Sequence, residues 1–301
     1  MPTKIVFLGT PDLAVPFLEA LINESDFEIQ AVITQPDRPV GRKQILTPSP
    51  VKEFALSKKL PIFEPENLRG VKGAEGDERV KGIFFPLSSA DIAVVVAYGI
   101  IIPQTVLDLP WLGFLNVHPS LLPKYRGPSP IQSAIANGDE ETGISIMLLN
   151  KGMDTGPILA QEKIILVADE TQFSLTEKIK QLGPALLVET IKKYVAGEIK
   201  PQPQDDSQAV ICKMLSRDSG KIDWSESVEK IDQKIRAYFP WPGSWTEILH
   251  NGKTLRLKIL KSKLQNNVLT LLEVQPEGRA PMAYEEFVKG YGPLKMVPEK
   301  E

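Results

Sequence analysis

Short apolar runs alternate with amphipathic segments over the first two thirds of the chain. Ile5–Leu8 is a continuous apolar run that ends at Gly9. Apolar residues then recur at helical spacing up to Ile22, and Ile29–Ile33 is the next run. Continuous apolar runs of strand length are typical of strands buried on both faces of a parallel sheet. The pattern therefore predicts right-handed β-α-β units and an α/β fold.

The alternation continues as far as Val195. Four more strands are predicted, the last of which alternates and should be antiparallel: Ile92–Ala97, Phe114–Val117, Ile144–Leu149 and Ile158–Ile164. Ser49-Pro50 and Ser129-Pro130 each predict a helix start, because serine is a favoured N-cap and proline fits the first helical position. A capping box at Ser174–Glu177 opens the last helix, which Gly183-Pro184 should kink or divide.

A different pattern follows a stretch rich in proline, glutamine and aspartate, Gly197–Gln208. A helix is predicted near Ser227–Tyr238, and strands follow at Thr246–His250, Lys253–Leu260 and Val268–Val274. Asn251-Gly252 joins the first two of these strands and is a strong hairpin signal. The pattern indicates a small β-rich domain.

Two domains are therefore expected. Residues 1–200 should form a Rossmann-like catalytic domain with a mostly parallel sheet, residues 201–208 a linker, and residues 209–301 an OB-like β-barrel. The first turn reads Gly9-Thr10-Pro11-Asp12 and lacks the G-x-G-x-x-G fingerprint. This absence argues against an NAD or FAD enzyme.

The composition restricts the possible classes of protein but does not indicate a function. Of 301 residues, 42% are hydrophobic and 24% charged, and the net charge is −3. Any contact with a polyanion must then come from local basic patches. One cysteine and two histidines argue against a disulfide framework and against a metal centre. With no signal peptide and no run of ~18 apolar residues, a cytoplasmic protein outside the membrane is expected.

Two polar segments interrupt the predicted α/β domain. Residues 35–50 form a long loop that carries Arg38, Arg42 and Lys43. A loop of this length is either functional or an ordinary solvated surface, and the loop alone leaves both readings open. Gly70–Gly82 is rich in glycine and charge, and is expected to be a flexible insertion without chemistry.

The segment Asn116–Gly127 carries the candidate chemistry. Asn116 and His118 stand two residues apart at the end of a predicted buried strand, so they should project into one space. Ligands bind beyond the carboxyl ends of strands in open α/β sheets. Asp154, in a glycine-rich loop after another strand, should reach the same crevice. An amide, an imidazole and a carboxylate suffice for acyl transfer.

No nucleophile of a usual type accompanies these residues. The G-x-S-x-G elbow is absent, and Cys212 is best interpreted as an inert buried thiol. His250 adjoins a hairpin turn and is expected at the surface. The chemistry should therefore be direct transfer between two bound substrates.

The segment Lys253–Lys263, which includes the predicted strand Lys253–Leu260, is basic. Arg256 and Lys258 alternate with leucine and isoleucine, so both should project from the outer face. This pattern has two equally good explanations. The cations protect an edge strand from pairing, or they contact a nucleic-acid backbone.

Six segments together carry a family resemblance: Phe7–Pro11, Gln35–Pro39, Val95–Gly99, Asn116–Gly127, Gly152–Gly156 and Pro240–Gly243. Over nearly its whole length the chain resembles the methionyl-tRNA formyltransferases, which use 10-formyltetrahydrofolate. The nearest alternatives are other folate-dependent enzymes: glycinamide ribonucleotide and sugar-nucleotide formyltransferases, and the hydrolase domain of formyltetrahydrofolate dehydrogenase. A non-catalytic RNA-binding module is the rival from another class.

The resemblance implies roles for particular residues. Asn116, His118 and Asp154 match the catalytic trio. The folate site is implied at Ser120, Leu121, Leu122 and Pro123. Contacts with initiator methionyl-tRNA are implied at Arg38, Arg42 and Lys43 in the loop, and at the basic C-terminal domain with Arg256 and Lys258. A monomer is expected.

The expected mechanism is attack of the methionine α-amine on the formyl carbon. Asn116 and a protonated His118 should stabilise the oxyanion. Asp154 should raise the pKa of the imidazole and fix its orientation. Either His118 or Asp154 should then assist proton transfer from the amine to the leaving nitrogen.

Overall fold

The structure is a computed structural model that describes residues 1–41, 43–69 and 78–294, with backbone only for residues 78–81. Arg42 and most of the Gly70–Gly82 segment lie outside the described residues. The strands are β1 (Thr3–Gly9), β2 (Phe27–Ile33), β3 (Arg38–Val40), β4 (Ile45–Thr47), β5 (Ile62–Phe63), β6 (Ile92–Val96), β7 (Phe114–His118), β8 (Glu141–Leu148), β9 (Ile158–Ile165), β10 (Ser244–His250), β11 (Lys253–Gln265), β12 (Val268–Pro276) and β13 (Met282–Ala283). The α-helices are α1 (Val15–Ile22), α2 (Pro50–Ser57), α3 (Glu78–Ser89), α4 (Gln104–Leu107), α5 (Pro130–Asn137), α6 (Gln172–Val195), α7 (Val228–Tyr238) and α8 (Tyr284–Tyr291).

Seven strands form the main sheet in the order β5-β2-β1-β6-β7-β8-β9. The pairs β5–β2, β2–β1, β1–β6 and β6–β7 are parallel, and β7–β8 is antiparallel. β6 lies in the middle and all of its residues are buried. The mostly parallel sheet confirms the predicted α/β fold class. Because β1, β6 and β7 are parallel, their carboxyl ends share one edge, where Asn116 and His118 lie.

The first turn is closely packed. A Cβ on Gly9 would lie 2.7 Å from a ring carbon of Phe7 and 2.9 Å from the Cβ of Ala14. Glycine therefore lets the chain turn tightly from β1 towards α1. Ser49 caps α2 as predicted, because its hydroxyl accepts a hydrogen bond from the Lys52 amide at 3.1 Å.

Three local predictions were wrong. The polar loop 35–50 contains a small antiparallel hairpin, β3–β4. The backbone is already helical from Glu78, inside the segment predicted as a flexible insertion. Helix α6 begins at Gln172 and not at the predicted capping box. Thr171 and Ser174 each accept a hydrogen bond from the other's amide, at 3.0 and 2.9 Å, so Thr171 holds the helix start.

Helix α6 is also continuous through Gly183-Pro184, so the pair does not divide it. Gly183 has a packing role there. A Cβ at this position would lie 2.4 Å from the Phe17 ring, so only glycine allows the ring to approach this closely. Proline in a helix interior leaves a carbonyl without its usual donor, and the surrounding packing outweighs this cost.

The C-terminal region contains a four-stranded antiparallel sheet in the order β10-β11-β12-β13. Helices α7 and α8 pack on it around a core that includes Ile235, Leu257 and Phe287. Asn251 and Gly252 have φ values of 51° and 75°, which is the geometry of the predicted hairpin turn. Sheet and helices confirm the predicted small β-rich domain.

Chain contacts define two compact units that do not follow the linear order of the sequence. Unit 1 comprises 1–126, 143–164 and 177–211, and unit 2 comprises 127–142, 165–176 and 212–301. The predicted linker, residues 201–208, packs within unit 1. Its assignment as a domain boundary stays a prediction. No described helix is long and apolar enough to cross a membrane.

Candidate active site

Strand β7 places Asn116 and His118 on the same face of the sheet. In the ladder Asn116 lies opposite Val95 of β6, and His118 lies opposite Ser145 of β8. Side chains two residues apart on a strand point the same way. The sequence-based placement of these two residues at a strand end is therefore confirmed, because the strand runs through His118.

His118 is held between a carbonyl and a carboxylate. Its Nε2 donates a hydrogen bond to the Tyr125 carbonyl at 2.9 Å, and its Nδ1 lies 3.7 Å from Oδ2 of Asp154. A carbonyl oxygen only accepts, so the Nε2 must carry a proton. In the neutral imidazole Nδ1 is then the free basic nitrogen, and it faces Asp154.

Burial lowers the pKa of His118 below its ordinary value. The charge of Asp154 and the hydrogen bond to Tyr125 act in the opposite direction but do not outweigh it. The imidazole is 4% exposed, so an imidazolium would lose most of its hydration. The protonated His118 of the expected mechanism stays a prediction, since the lowered pKa favours the neutral imidazole in the free protein. Asp154 does raise the pKa, as expected, but desolvation is larger.

Asp154 lies in a tight loop between β8 and β9. Its φ is 52°, in the left-handed region that few residues other than glycine adopt. Close contacts surround it, since a Cβ on Gly156 would lie 1.8 Å from the Leu148 carbonyl oxygen. The side chain of Asn150 accepts hydrogen bonds from the Gly152 amide at 3.0 Å and from the Thr155 hydroxyl at 2.8 Å. The loop thus fixes the carboxylate beside His118.

Asn116 is the third member of the predicted trio. It is half-buried, and its side chain makes no intramolecular hydrogen bond within the part of the chain that the structure describes. Its carboxamide therefore remains available to a substrate. An amide N–H is a suitable donor to a developing oxyanion.

The four residues implied for the folate site have unequal access. Ser120 is fully buried, and its hydroxyl donates to the Lys124 carbonyl at 2.6 Å. Leu122 is also buried. Only Leu121 and Pro123 retain partial exposure. Ser120 and Leu122 therefore shape the loop from inside, while Leu121 and Pro123 offer surface to a ligand.

The basic residues implied for tRNA contact are exposed where the structure describes them. Arg38 lies on β3 and Lys43 in the hairpin turn. Arg256 and Lys258 project from the outer face of β11, since Leu257 between them is fully buried. The Arg256 guanidinium carbon lies 3.9 Å from the centre of the Trp245 ring, a cation–π contact.

The remaining chemical candidates are a cysteine and the second histidine. Cys212 is buried, as predicted, and its sulfur accepts from the Ser129 amide at 3.4 Å. His250 lies at the hairpin turn against Tyr291, with ring centres 4.6 Å apart. Among the described residues no group of three His, Cys, Asp or Glu side chains could hold a metal ion.

Two contributors to the site escaped the sequence analysis. The Tyr125 carbonyl, which accepts from His118, is a main-chain atom and leaves no mark in the sequence. Gln204 donates to the carbonyls of Asp154 and Gly156, at 2.9 and 2.7 Å. It lies in the segment predicted as a linker, and no spacing rule connects it to residues 50 positions earlier.

The fold and the paired histidine and aspartate define an acyl-transfer enzyme of the formyl transferase class. The formyl transferase family matches residues 3–191, and its C-terminal domain matches residues 214–268. A methionyl-tRNA formyltransferase of Pseudoalteromonas translucida is 40% identical, over 96% of this chain and 94% of its own. One of Roseiflexus sp. is 39% identical, over 96% and 93%. The chain therefore belongs to the methionyl-tRNA formyltransferase family.

Solved structures share the fold. A methionyl-tRNA formyltransferase from Clostridium thermocellum matches with a TM-score of 0.59 at 19% identity, over 91% of this chain and 98% of its own. A sugar 3N-formyl transferase, crystallised in the presence of dTDP and 5-N-formyl-tetrahydrofolate, matches with a TM-score of 0.62 at 23% identity, over 88% of each chain. At these identities the likeness concerns the fold alone.

Proposed function

We propose that this enzyme transfers the formyl group of 10-formyltetrahydrofolate to the α-amine of methionine on initiator tRNA, and that Asn116, His118 and Asp154 are its catalytic residues. The observation that carries the proposal is the pairing of His118 Nδ1 with Asp154 at 3.7 Å, on a chain that matches both domains of the family. The relatives named as methionyl-tRNA formyltransferases support the choice of acceptor.

The reaction begins with attack of the neutral α-amine on the formyl carbon. A free α-amine has a pKa of about 8, so a usable fraction is neutral at pH 7. The carbonyl oxygen becomes an oxyanion, and the Asn116 carboxamide donates a hydrogen bond to it. No nucleophile of the enzyme takes part. The tetrahedral intermediate therefore joins the two substrates covalently and makes no covalent bond to the enzyme.

One proton must move from the attacking nitrogen to the leaving nitrogen. Nδ1 of the neutral His118 accepts it, and the imidazolium so formed is stabilised by Asp154. The proton then passes to N10 of the folate as the carbon–nitrogen bond breaks. The products are formylmethionyl-tRNA and tetrahydrofolate. A buried imidazole with a lowered pKa suits this role, because it is in the basic form at neutral pH.

The substrates are proposed to bind on different surfaces. Leu121 and Pro123 contact the folate, with Ser120 and Leu122 supporting the loop from inside. The hairpin with Arg38, Arg42 and Lys43 approaches the acceptor end of the tRNA, and Arg256 and Lys258 contact its phosphates. A cytoplasmic monomer is proposed, in line with the single cysteine of the chain.

The acceptor is tested by offering two substrates. The protein is mixed with 10-formyltetrahydrofolate and either methionyl initiator tRNA or a dTDP-linked amino sugar. We expect formylmethionyl-tRNA to form rapidly and the amino sugar to remain unformylated. The sugar-specific alternative predicts the opposite preference. Formylation of neither acceptor would contradict the transferase assignment itself.

A further inference from the structure

The segment that follows α6 makes two contacts that bear on the His118–Asp154 pair: one with the main chain of Asp154, and one with the peptide group whose carbonyl accepts from His118. Gln204 and Val210 are the residues that make them, and both belong to unit 1. The sequence pattern predicts only a linker here. The segment is also tied to the sheet, because Gln202 and Ile158 exchange two main-chain hydrogen bonds of 2.8 Å. It is therefore an ordered part of the catalytic unit.

The first contact concerns Asp154. The carboxamide nitrogen of Gln204 donates to the Asp154 carbonyl at 2.9 Å and to the Gly156 carbonyl at 2.7 Å. Both hydrogens of the NH₂ group are thereby used. They join two carbonyls on either side of Thr155, in the loop where Asp154 has a φ of 52°. Gln204 thus holds the main chain that carries the catalytic carboxylate.

Gln204 is itself held by a buried charge. Its carboxamide oxygen accepts from Nε of Arg126 at 2.9 Å, and a terminal nitrogen of Arg126 donates to Asp206 at 2.7 Å. Arg126 is 4% exposed. Two carbonyls accept from the amide nitrogen of Gln204, and Arg126 donates to the amide oxygen. These partners fix the orientation of the Gln204 amide. The network is therefore specific for a glutamine amide and not merely for a polar side chain.

The second contact concerns His118 and passes through a single peptide group. The Tyr125 carbonyl accepts from His118 Nε2 at 2.9 Å, and the Arg126 amide of the same peptide donates to the Val210 carbonyl at 2.9 Å. A peptide unit is planar and rigid. A shift of the main chain at Val210 would therefore be transmitted to the imidazole.

We propose that Gln204 is a positioning residue for formyl transfer: supported by Arg126, it sets the position of Asp154 relative to His118. Residues 202–210 are then part of the catalytic apparatus, and they lie just before residues 212–301, the last segment of unit 2. The inference rests on the proposed catalytic role of Asp154.

The test compares Gln204→Glu and Gln204→Ala with Gln208→Ala as a matched control. Gln208 lies in the same segment but is exposed, and its side chain donates a hydrogen bond to Asp205 and to no other residue that the structure describes. Gln204→Glu keeps the shape of the side chain and removes both donors. We expect each Gln204 variant to lower single-turnover formylation of methionyl-tRNA by roughly 10- to 100-fold, because small displacements of catalytic groups have large effects. KM for both substrates should stay within about twofold of the wild-type value, as expected when transition-state interactions are lost.

Two further readouts separate positioning from a merely structural role. Asp154 raises the pKa of His118, so loosening it should move the acid limb of the kcat profile to lower pH. In an Asp154→Ala background, Gln204→Ala should cause no additional loss, because it acts through Asp154.

The outcomes are distinguishable. Unchanged single-turnover rates in both Gln204 variants would overturn the inference. So would a loss from Gln204→Ala that is as large in the Asp154→Ala background as in the wild type. An Asp154→Ala variant with the wild-type rate would instead overturn the proposed catalytic role of Asp154. Thermal unfolding of each variant shows whether the chain still folds, and the isosteric Gln204→Glu keeps the test available if Gln204→Ala does not.

Discussion

Two opposing effects act on the imidazole of His118. Burial disfavours its charged form, whereas the carboxylate of Asp154 favours it. Desolvation is the larger of the two, so the pKa lies below its ordinary value and the neutral imidazole is favoured at neutral pH, as the proposed role of proton acceptor requires. A residue that is to take a proton from an amine must be unprotonated at the working pH.

The charge state of His118 can be measured directly. In a His250→Gln variant His118 is the single histidine, so its ring signals in NMR are unambiguous. We expect a titration midpoint below the ordinary value of 6.5. Asp154→Asn should lower the midpoint further, because the negative charge of Asp154 raises the pKa. A midpoint above 6.5, or a rise in the Asp154→Asn variant, would contradict this assignment.

Asn116 gives a second prediction at this scale. Asn116→Ala removes the proposed oxyanion donor and should lower kcat by roughly 10²–10³, the usual cost of losing one such donor. The folate affinity should change little, because the interaction develops only in the transition state. Equilibrium binding of tetrahydrofolate alongside single-turnover rates checks both halves. An equal loss in binding and rate would indicate that Asn116 holds the ground state instead.

The sequence supports much of the site at residue scale. Asn116 and His118 follow a buried strand at a spacing of two, and that pattern alone predicts a shared face. Asp154 follows from its place after another strand. The lowered pKa of His118 could not be read from the sequence, because it depends on burial by residues distant in sequence. The proposed role of Gln204 also depends on long-range contacts, so the sequence does not predict it.

At the scale of elements, α6 shows how packing overrides local signals. Gly183-Pro184 predicts a break, but the helix runs from Gln172 to Val195. The glycine allows the Phe17 ring to lie close to the helix, so the local cost is offset by tertiary contact.

Substitution of Gly183 tests this packing. Gly183→Ala places a methyl 2.4 Å from the Phe17 ring and should destabilise the protein by about 1–3 kcal/mol, as overpacking does. Gly290→Ala is the matched control, because this helical position has no neighbour within 4 Å. That change should stabilise α8 by about 0.5–1 kcal/mol. Thermal unfolding measures both, and equal midpoints for the two variants would contradict the packing account.

Elements with strong apolar periodicity were predicted well, and those in polar segments were not. β6 and β7 lie within one residue of their expected limits. The β3–β4 hairpin was missed because only three residues pair on each side and all are polar, proline or exposed. The start of α6 was missed by three residues because Thr171 and Ser174 both resemble N-caps, and local sequence does not choose between them.

For the whole molecule, one part of the predicted tRNA surface consists of two exposed cations of unit 2, Arg256 and Lys258. Arg256 lies over Trp245, which holds the guanidinium in place before any ligand binds. A preorganised cation loses less side-chain freedom on binding than a mobile one. The sequence predicts that Arg256 and Lys258 share a face, but the stacking on Trp245 requires the strand register of β10 and β11.

Salt dependence of tRNA binding tests that surface. Arg256→Ala and Lys258→Ala should each weaken binding and reduce the slope of log K against log salt concentration by about 1, as for one lost phosphate contact. Lys289→Ala is the control, since this exposed lysine of α8 is not on β11. Equal effects of all three substitutions would contradict a localised surface.

Hydrophobic periodicity does not predict which segments of the chain belong to each of the two units. Residues 127–142 and 165–176 belong to unit 2 although they precede the predicted linker. Contacts between residues far apart in sequence leave no local pattern. A prediction from local patterns therefore assigns each such segment to the domain that surrounds it in sequence.

The central claim is that the His118–Asp154 pair of this chain catalyses formyl transfer to methionyl-tRNA. The most direct measurement is the single-turnover rate with 10-formyltetrahydrofolate for the wild type, His118→Ala and Asp154→Asn, with tRNA binding measured in parallel. We predict rapid formylation by the wild type, and a loss of at least roughly 100-fold in both variants with tRNA affinity retained. Near-normal rates in either variant would contradict the claim.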